Sequence, residues 1–279
     1  KGGVMLLAFL SDIHFDHECP YAWALTKAIL KDLPIDHVIL GGDIIDLGPL
    51  SIFKAAPHEK LALGDQIRHS RKELRALRNT VGDIPISYFN GNHEERLEYH
   101  IWQRTPELAA LQEEDLNILT MNHLFQFDAT DILHVRQTPM RVKKMWFFHG
   151  HEINTRAAHV AKMNFMHRSG NSMCGHHHRF DSYYHQEFSH SQSILGSFVN
   201  ATLEQIPAIH DVRNTSRWIG YSKWQNGFSL IDFSEGGYFR VEQLLYIKEA
   251  ASRMRTHVYG KLYRAVRKKN KIDIIINGR

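Results

Sequence analysis

Short apolar runs that end in groups able to hold a metal ion constrain this chain more than any other feature. "LLAFL" runs into Ser11-Asp12-Ile13-His14, "HVIL" into Gly41-Gly42-Asp43-Ile44-Ile45-Asp46, and "ISYF" into Asn90-Gly91-Asn92-His93-Glu94. Later, "MWFF" meets His149, and "NSMCG" meets His176 and His178. A strand in a protein core has no use for carboxylates and imidazoles at its tip. In α/β sheets, however, ligands bind at the carboxyl ends of the strands. Seven oxygen and nitrogen donors at such edges, Asp12, His14, Asp43, Asn92, His149, His176 and His178, point to a shared metal site.

Patterning gives the scaffold. Up to Asn92, apolar runs alternate with amphipathic stretches at Pro20–Leu33 and Ile52–Asn79, the rhythm of a largely parallel sheet with helices on its faces. Thr105-Pro106 is a helix start. Beyond it short β-type runs dominate, among them "HLFQFD", "MWFFHG", "DSYYHQ", "SILGSFV" and "GFSLIDF", interrupted by one helix over about Thr155–His167. The expected architecture is therefore two sheets packed face to face with helices outside. Glu249 to Asn270 reads as helix, and "IDIII" as a late edge strand. The corresponding division is a domain over 1–247 followed by a basic, helical C-terminal extension over 248–279.

Composition adds limits. The 279 residues are 43% hydrophobic, enough to bury a sizeable core. The net charge is +4, but 248–279 holds ten Lys or Arg against two acids, a net +8, which leaves −4 for the rest. Such a segment could touch nucleic acid or an acidic partner, or simply form a solvated face. Two cysteines make no disulfide framework, which fits a reducing, cytoplasmic setting. The apolar run Val4–Leu10 is too short to span a membrane.

Spacing refines the site. On extended backbone, residues two apart point the same way. Asp12 with His14, and His176 with His178, would then each converge, while His177 turns away. Glycines before Asp43, Asn92 and His176 would allow close approach to an ion.

Taken in order, these motifs resemble the calcineurin-like metallophosphoesterase superfamily: D-x-H, G-D-x-x-D, G-N-H-[E/D], H-x and G-H-x-H. The resemblance runs from Asp12 to His178 and implies an α/β, four-layer αββα sandwich with two central mixed β-sheets. It also implies two divalent cations. One would be held by Asp12, His14, Asp43 and His178, the other by Asp43, Asn92, His149 and His176, with Asp43 bridging. Mn²⁺ leads among the candidates, and Fe, Zn²⁺ or Co²⁺ are open. The resemblance further implies that hydroxide formed between the cations attacks a phosphate ester, that His93 is general acid, and that Asp46 orients His93. Glu94 is expected to bond nearby backbone.

The "RG" that follows the second Asp in phosphoprotein phosphatases is absent; Leu47-Gly48 stands there. Substrate binding is therefore sought elsewhere. One candidate is Arg96. The others are Arg213 and Arg217, in a polar, aromatic-rich insertion between Glu204 and Gly227 that also carries Trp218, Tyr221, Lys223 and Trp224. Arg interleaved with aromatics suits phosphates and bases. Three functions follow: a phosphodiesterase acting on nucleic acid or nucleotides, a phosphomonoesterase acting on small molecules or proteins, and a scaffold without turnover.

Overall fold

Four strands run parallel side by side: β1 (Met5–Leu10), β2 (His37–Gly41), β3 (Ile86–Phe89) and β4 (Ile132–His134). The computed structural model describes residues 4–52, 62–113, 115–136, 138–151, 159–168, 170–186, 194–206, 223–235 and 238–278. Helices α1 (Pro20–Asp32) and α2 (Leu63–Val81) make the crossovers. On the far side of β1, β10 (Gly227–Phe233) and β11 (Phe239–Leu245) add antiparallel strands, giving the order β11-β10-β1-β2-β3-β4.

A second mixed sheet has the order β5-β6-β7-β9-β8. Its strands are β5 (Met140–Val142), β6 (Met145–Phe148), β7 (Ser172–Cys174), β8 (Asp181–Gln186) and β9 (Ile194–Val199). Strands β6, β7 and β9 are parallel. The two sheets meet through Leu7, Phe9, Ile39 and Phe89 on one side and Met145, Phe147, Met173 and Phe198 on the other. Phe9 and Phe147 lie 5.6 Å apart between ring centroids. Ala8 and Leu10, the alternate residues of β1, join the core under α1 and α2. Both faces of β1 are thus covered, which is why its sequence is apolar without alternation. Helix α5 (His159–Arg168) closes the outer face of the second sheet through Val160 and Ala161 against Phe148, Cys174 and Val199. The layers are helix, sheet, sheet, helix, the expected αββα sandwich.

Two expectations fail. "HLFQFD" is not a strand: Met121–Phe125 forms helix α4, in which Met121 and Phe125, one turn apart, both enter the core. The stretch Glu249–Asn270 is not a helix either. It lies in an antiparallel sheet of β12 (Ile247–Ala250), β13 (Arg253–Val258), β14 (Lys261–Lys268) and β15 (Lys271–Asn277). Its burial has period two: Met254, Thr256 and Val258 point in, while the alternate residues Arg253 and His257 are exposed and Arg255 is half-buried. Tyr259 and Gly260, at φ 46° and 80°, form the two-residue turn from β13 to β14. The basic residues belong to a sheet's outer side. "IDIII" is the edge strand β15, as expected.

The inner side of this sheet packs on α1. Met254, Val258, Tyr263 and Ala265 share one core with Ala22, Leu25 and Ile29. The Tyr263 hydroxyl donates to the Asp32 carboxylate, and Lys261 Nζ reaches it at 2.8 Å. Among the described residues no helix is long and apolar enough to cross a membrane.

Because Tyr263 is fully buried, Tyr263→Ala should cost about 3–5 kcal/mol. Urea unfolding followed by circular dichroism checks this; a cost under about 1 kcal/mol would mean that the C-terminal sheet is not coupled to the α1 core.

Candidate metal centre

The carboxyl ends of β1, β2 and β3 open at one edge, beside the ends of β6 and β7. The loops that leave them are not extended. Asp12, His14, Asp43, His176 and His178 have φ of 54°, 50°, 51°, 68° and 58°. Asp12 and His14 do converge, whereas His176 and His178 reach separate donor groups; both pairs use left-handed residues alternating with ordinary ones, a conformation that non-glycine residues adopt only where the surroundings enforce it.

Backbone bonds supply the enforcement. Asp12 N–H donates to Gly42 O and His14 N–H to Asp43 O, each at 3.0 Å, so the β1 and β2 loops brace each other. Glu94, fully buried, accepts from the N–H groups of Asp43, Ile44, Ile45 and Gly91 at 2.7–2.9 Å and from the Tyr88 hydroxyl at 2.7 Å. The expected backbone role of Glu94 is what the bonds show. Gly42 takes φ 83°, and a Cβ there would lie 2.7 Å from His149 Nδ1. A Cβ on Gly175 would lie 2.6 Å from an Asp12 carboxylate oxygen.

These loops bring Asp12, His14 and His178 together as one group of donors and Asp43, His149 and His176 as another, each with ligand atoms within 4.8 Å of one another. His178 Nε2 is 3.3 Å from Asp12 Oδ1, and His149 Nε2 is 3.0 Å from Asp43 Oδ2 and 3.1 Å from Asn92 Oδ1. His149 Nε2 and His176 Nδ1 are 3.3 Å apart. Asp43 also joins a group with His14 and His93, so it lies between the two sets. His151 and His177 belong to none of these groups.

Charge within the cluster is unbalanced. Asp12 and Asp43 are 0% and 1% exposed, and their paired neighbours are histidines. Burial lowers a histidine, yet Glu204, Asp46 and Asp43 together push His14 up to about 10. Asp43 likewise outweighs burial at His149 and raises it to about 9. Burial and the neighbouring His149 lower His176 to about 4. The carboxylates thus draw in protons where they could hold cations.

Beside this cluster, His93 Nδ1 is 2.8 Å from Asp46 Oδ1. Arg96 Nη2 donates to His93 Nε2 at 2.9 Å, and Arg96 Nη1 donates to the Asp46 carbonyl at 2.8 Å. Guanidinium only donates, so His93 Nε2 is the acceptor and Nδ1–H is the donor to Asp46. Arg96 is turned onto the His93–Asp46 pair in this arrangement. Arg213 and Arg217, with Trp218 and Tyr221, lie outside the described residues. Trp224 lies against His178 with ring centroids 4.1 Å apart and planes inclined at 51°.

A family model described as calcineurin-like phosphoesterase matches residues 5–278. The chain belongs to the calcineurin-like phosphoesterase family. Its members generally hydrolyse phosphate esters with bound metal ions. Among solved structures, the chain is similar to a single mutant of Vps29 from Entamoeba histolytica: 10% identity, TM-score 0.38, and 98% of each chain covered. It is also similar to vacuolar protein sorting 29 from Cryptosporidium parvum: 10% identity, TM-score 0.39, covering 99% of this chain and 98% of that one. Likeness of that extent carries no functional weight. No match was found among curated proteins.

The residues present fit the cations that a calcineurin-like phosphoesterase generally binds. The donor set mixes carboxylate oxygens, an amide oxygen and imidazoles, which suits first-row divalent ions. Two of its buried atoms, His14 Nε2 and His178 Nδ1, have no hydrogen-bond partner. Sequence reasoning missed the group closest to both. Glu204, just beyond β9, places Oε2 3.9 Å from His14 Nε2 and 3.6 Å from His178 Nδ1. No motif marks it; the bridge between Glu18 and Glu204, with bonds from Thr202 Oγ1 and Leu203 N–H to the Asp12 carbonyl, holds that segment at the site.

Two expectations can be tested directly. Protons on His14 and His149 must leave before either imidazole can ligate, so metal uptake at pH 7.5 should release more than one proton per chain. Calorimetric titration with Mn²⁺ in two buffers of different ionisation enthalpy measures the number, and a value near zero would contradict the protonated cluster. Glu204→Gln keeps shape and removes charge beside His14 and His178. It should weaken one of two metal-binding steps about 10–100-fold, read from the same titration, with the other step unchanged.

Proposed function

We propose that this chain is a two-metal phosphoesterase that cleaves phosphodiesters, with Mn²⁺ the leading cation and nucleic acid or nucleotides the leading substrates. The observation that carries the reading is a His–carboxylate pair, His93 with Asp46, set directly against a complete donor cluster. A metal-binding scaffold has no need of a proton donor there.

Asp12, His14, Asp43 and His178 would hold one cation and Asp43, Asn92, His149 and His176 the other; when bound, the pair supplies Lewis acidity and offsets charge that grows on the phosphoryl oxygens. The protein's own contribution is positional. Asp43 Oδ1 accepts from the His93 backbone N–H at 2.9 Å, which ties the proton donor to the carboxylate that both cations would share. Asp46 holds the imidazole through Nδ1 and leaves Nε2 to face the ester. Once Arg96 moves off it, Nε2 can take up a proton from water and pass it to the leaving oxygen, with Asp46 stabilising the imidazolium in between. Arg96 guards that nitrogen until an ester displaces it. Its guanidinium can then move from Nε2 to a phosphate oxygen without leaving the Asp46 carbonyl.

Removing the proton donor should spare metal binding and penalise poor leaving groups. For His93→Ala with Mn²⁺, the loss in kcat should be about 10²–10⁴-fold on an alkyl phosphodiester and far smaller on bis-p-nitrophenyl phosphate, whose leaving group needs little protonation. Equal losses on the two would remove the general-acid role. Hydrolysis of p-nitrophenyl phosphate in preference to the diester would favour the monoesterase.

A further inference from the structure

A cavity of about 350 Å³ opens next to the candidate centre. It begins at Asn92 and Arg96 and runs along α3 (Glu95–Arg104), between that helix and Leu50 and Ile52. Its size is at the lower end of pockets that take small organic molecules, about 300–1,000 Å³. Room for a base and its sugar is there; room for a folded protein segment is not.

The position fixes which part of a substrate it meets. Arg96 lines the cavity and also touches His93 Nε2. A general acid faces the leaving oxygen, so the cavity continues the leaving-group side of the centre. Its walls are chiefly apolar, from Leu50, Ile52 and Tyr99, and Tyr99 is 50% exposed. At the far end stands Arg104, exposed. Arg96 and Arg104 are eight residues apart on one helix, about 12 Å along its axis and about 80° around it, and both line the cavity. A ring between two cation positions matches a base flanked by phosphates.

We infer that this cavity is a leaving-nucleotide subsite for single-stranded nucleic acid, with a base against Tyr99 and the next phosphate at Arg104. The inference rests on the phosphodiesterase reading for its direction but not for its test. A base can reach Tyr99 only when it is out of a duplex stack, hence the preference for single strands.

Binding of a 5′-fluorescein tetrathymidylate with phosphorothioate linkages, which resist cleavage, is measured by fluorescence anisotropy on the Mn²⁺-loaded protein. Tyr99→Ala should raise Kd about 10-fold, and an abasic tetramer should bind wild type about as weakly. Arg104→Gln should lower the slope of log Kd against log salt concentration by about 0.7. Both residues are exposed, so the folds of the variants are not at issue. Equal binding of base-bearing and abasic tetramers, unchanged Kd in Tyr99→Ala, or tighter binding of a phosphotyrosine peptide would overturn the subsite. Failure to hydrolyse any ester with Mn²⁺ would instead overturn the proposed activity and leave the binding result standing.

Discussion

One buried carboxylate organises the edge of the molecule where the chemistry lies. Glu94 gathers four backbone N–H groups and the Tyr88 hydroxyl around a charge with no exposure to solvent. Charge-assisted bonds of this kind are about twice as strong as neutral ones. They tie the loop after β2 to the loop after β3, and so fix Asp43 relative to Asn92 and His93. Without that clamp, the left-handed turn at Asp43 would have little to hold it against its own steric cost.

A second constraint is electrostatic. Asp12, Asp43, Asp46 and Glu204 lie around His14, His93, His149, His176 and His178 at one sheet edge, with the Arg96 guanidinium 3.5 Å from Asp46. Such a cluster is satisfied by protons or by metal ions. Its low exposure makes the choice costly in either direction, because buried charge must be compensated locally. Arg96 adds a positive group on the side of His93 only. The cluster is thereby polarised, with donors for cations on one flank and a proton donor with its cavity on the other.

Much of this was legible in the chain. Strand ends followed by carboxylates, amides and histidines marked the site, since such residues are costly at the tip of an apolar strand unless a ligand compensates them. Asp12, His14 and His178 come together in one group and Asp43, His149 and His176 in another, with Asn92 beside His149 and His93 beside Asp46. The reason given for convergence was wrong, however: left-handed turns do the work assigned to extended backbone. The C-terminal sheet was misread because its Lys and Arg residues suit a helix as well as a strand's outer face. Only the period-two burial of Met254, Thr256 and Val258 distinguishes the two.

By itself, the sequence determined the inventory of donors and their order along the chain, because local motifs record which side chains follow which strands. Tertiary structure alone decided that Glu204 faces His14 and His178, that Arg96 turns onto His93, and that α3 and Leu50 leave a cavity between them. These are contacts between segments whose separation in sequence carries no period and no motif. They arise only when the packing of two sheets brings distant loops to one edge.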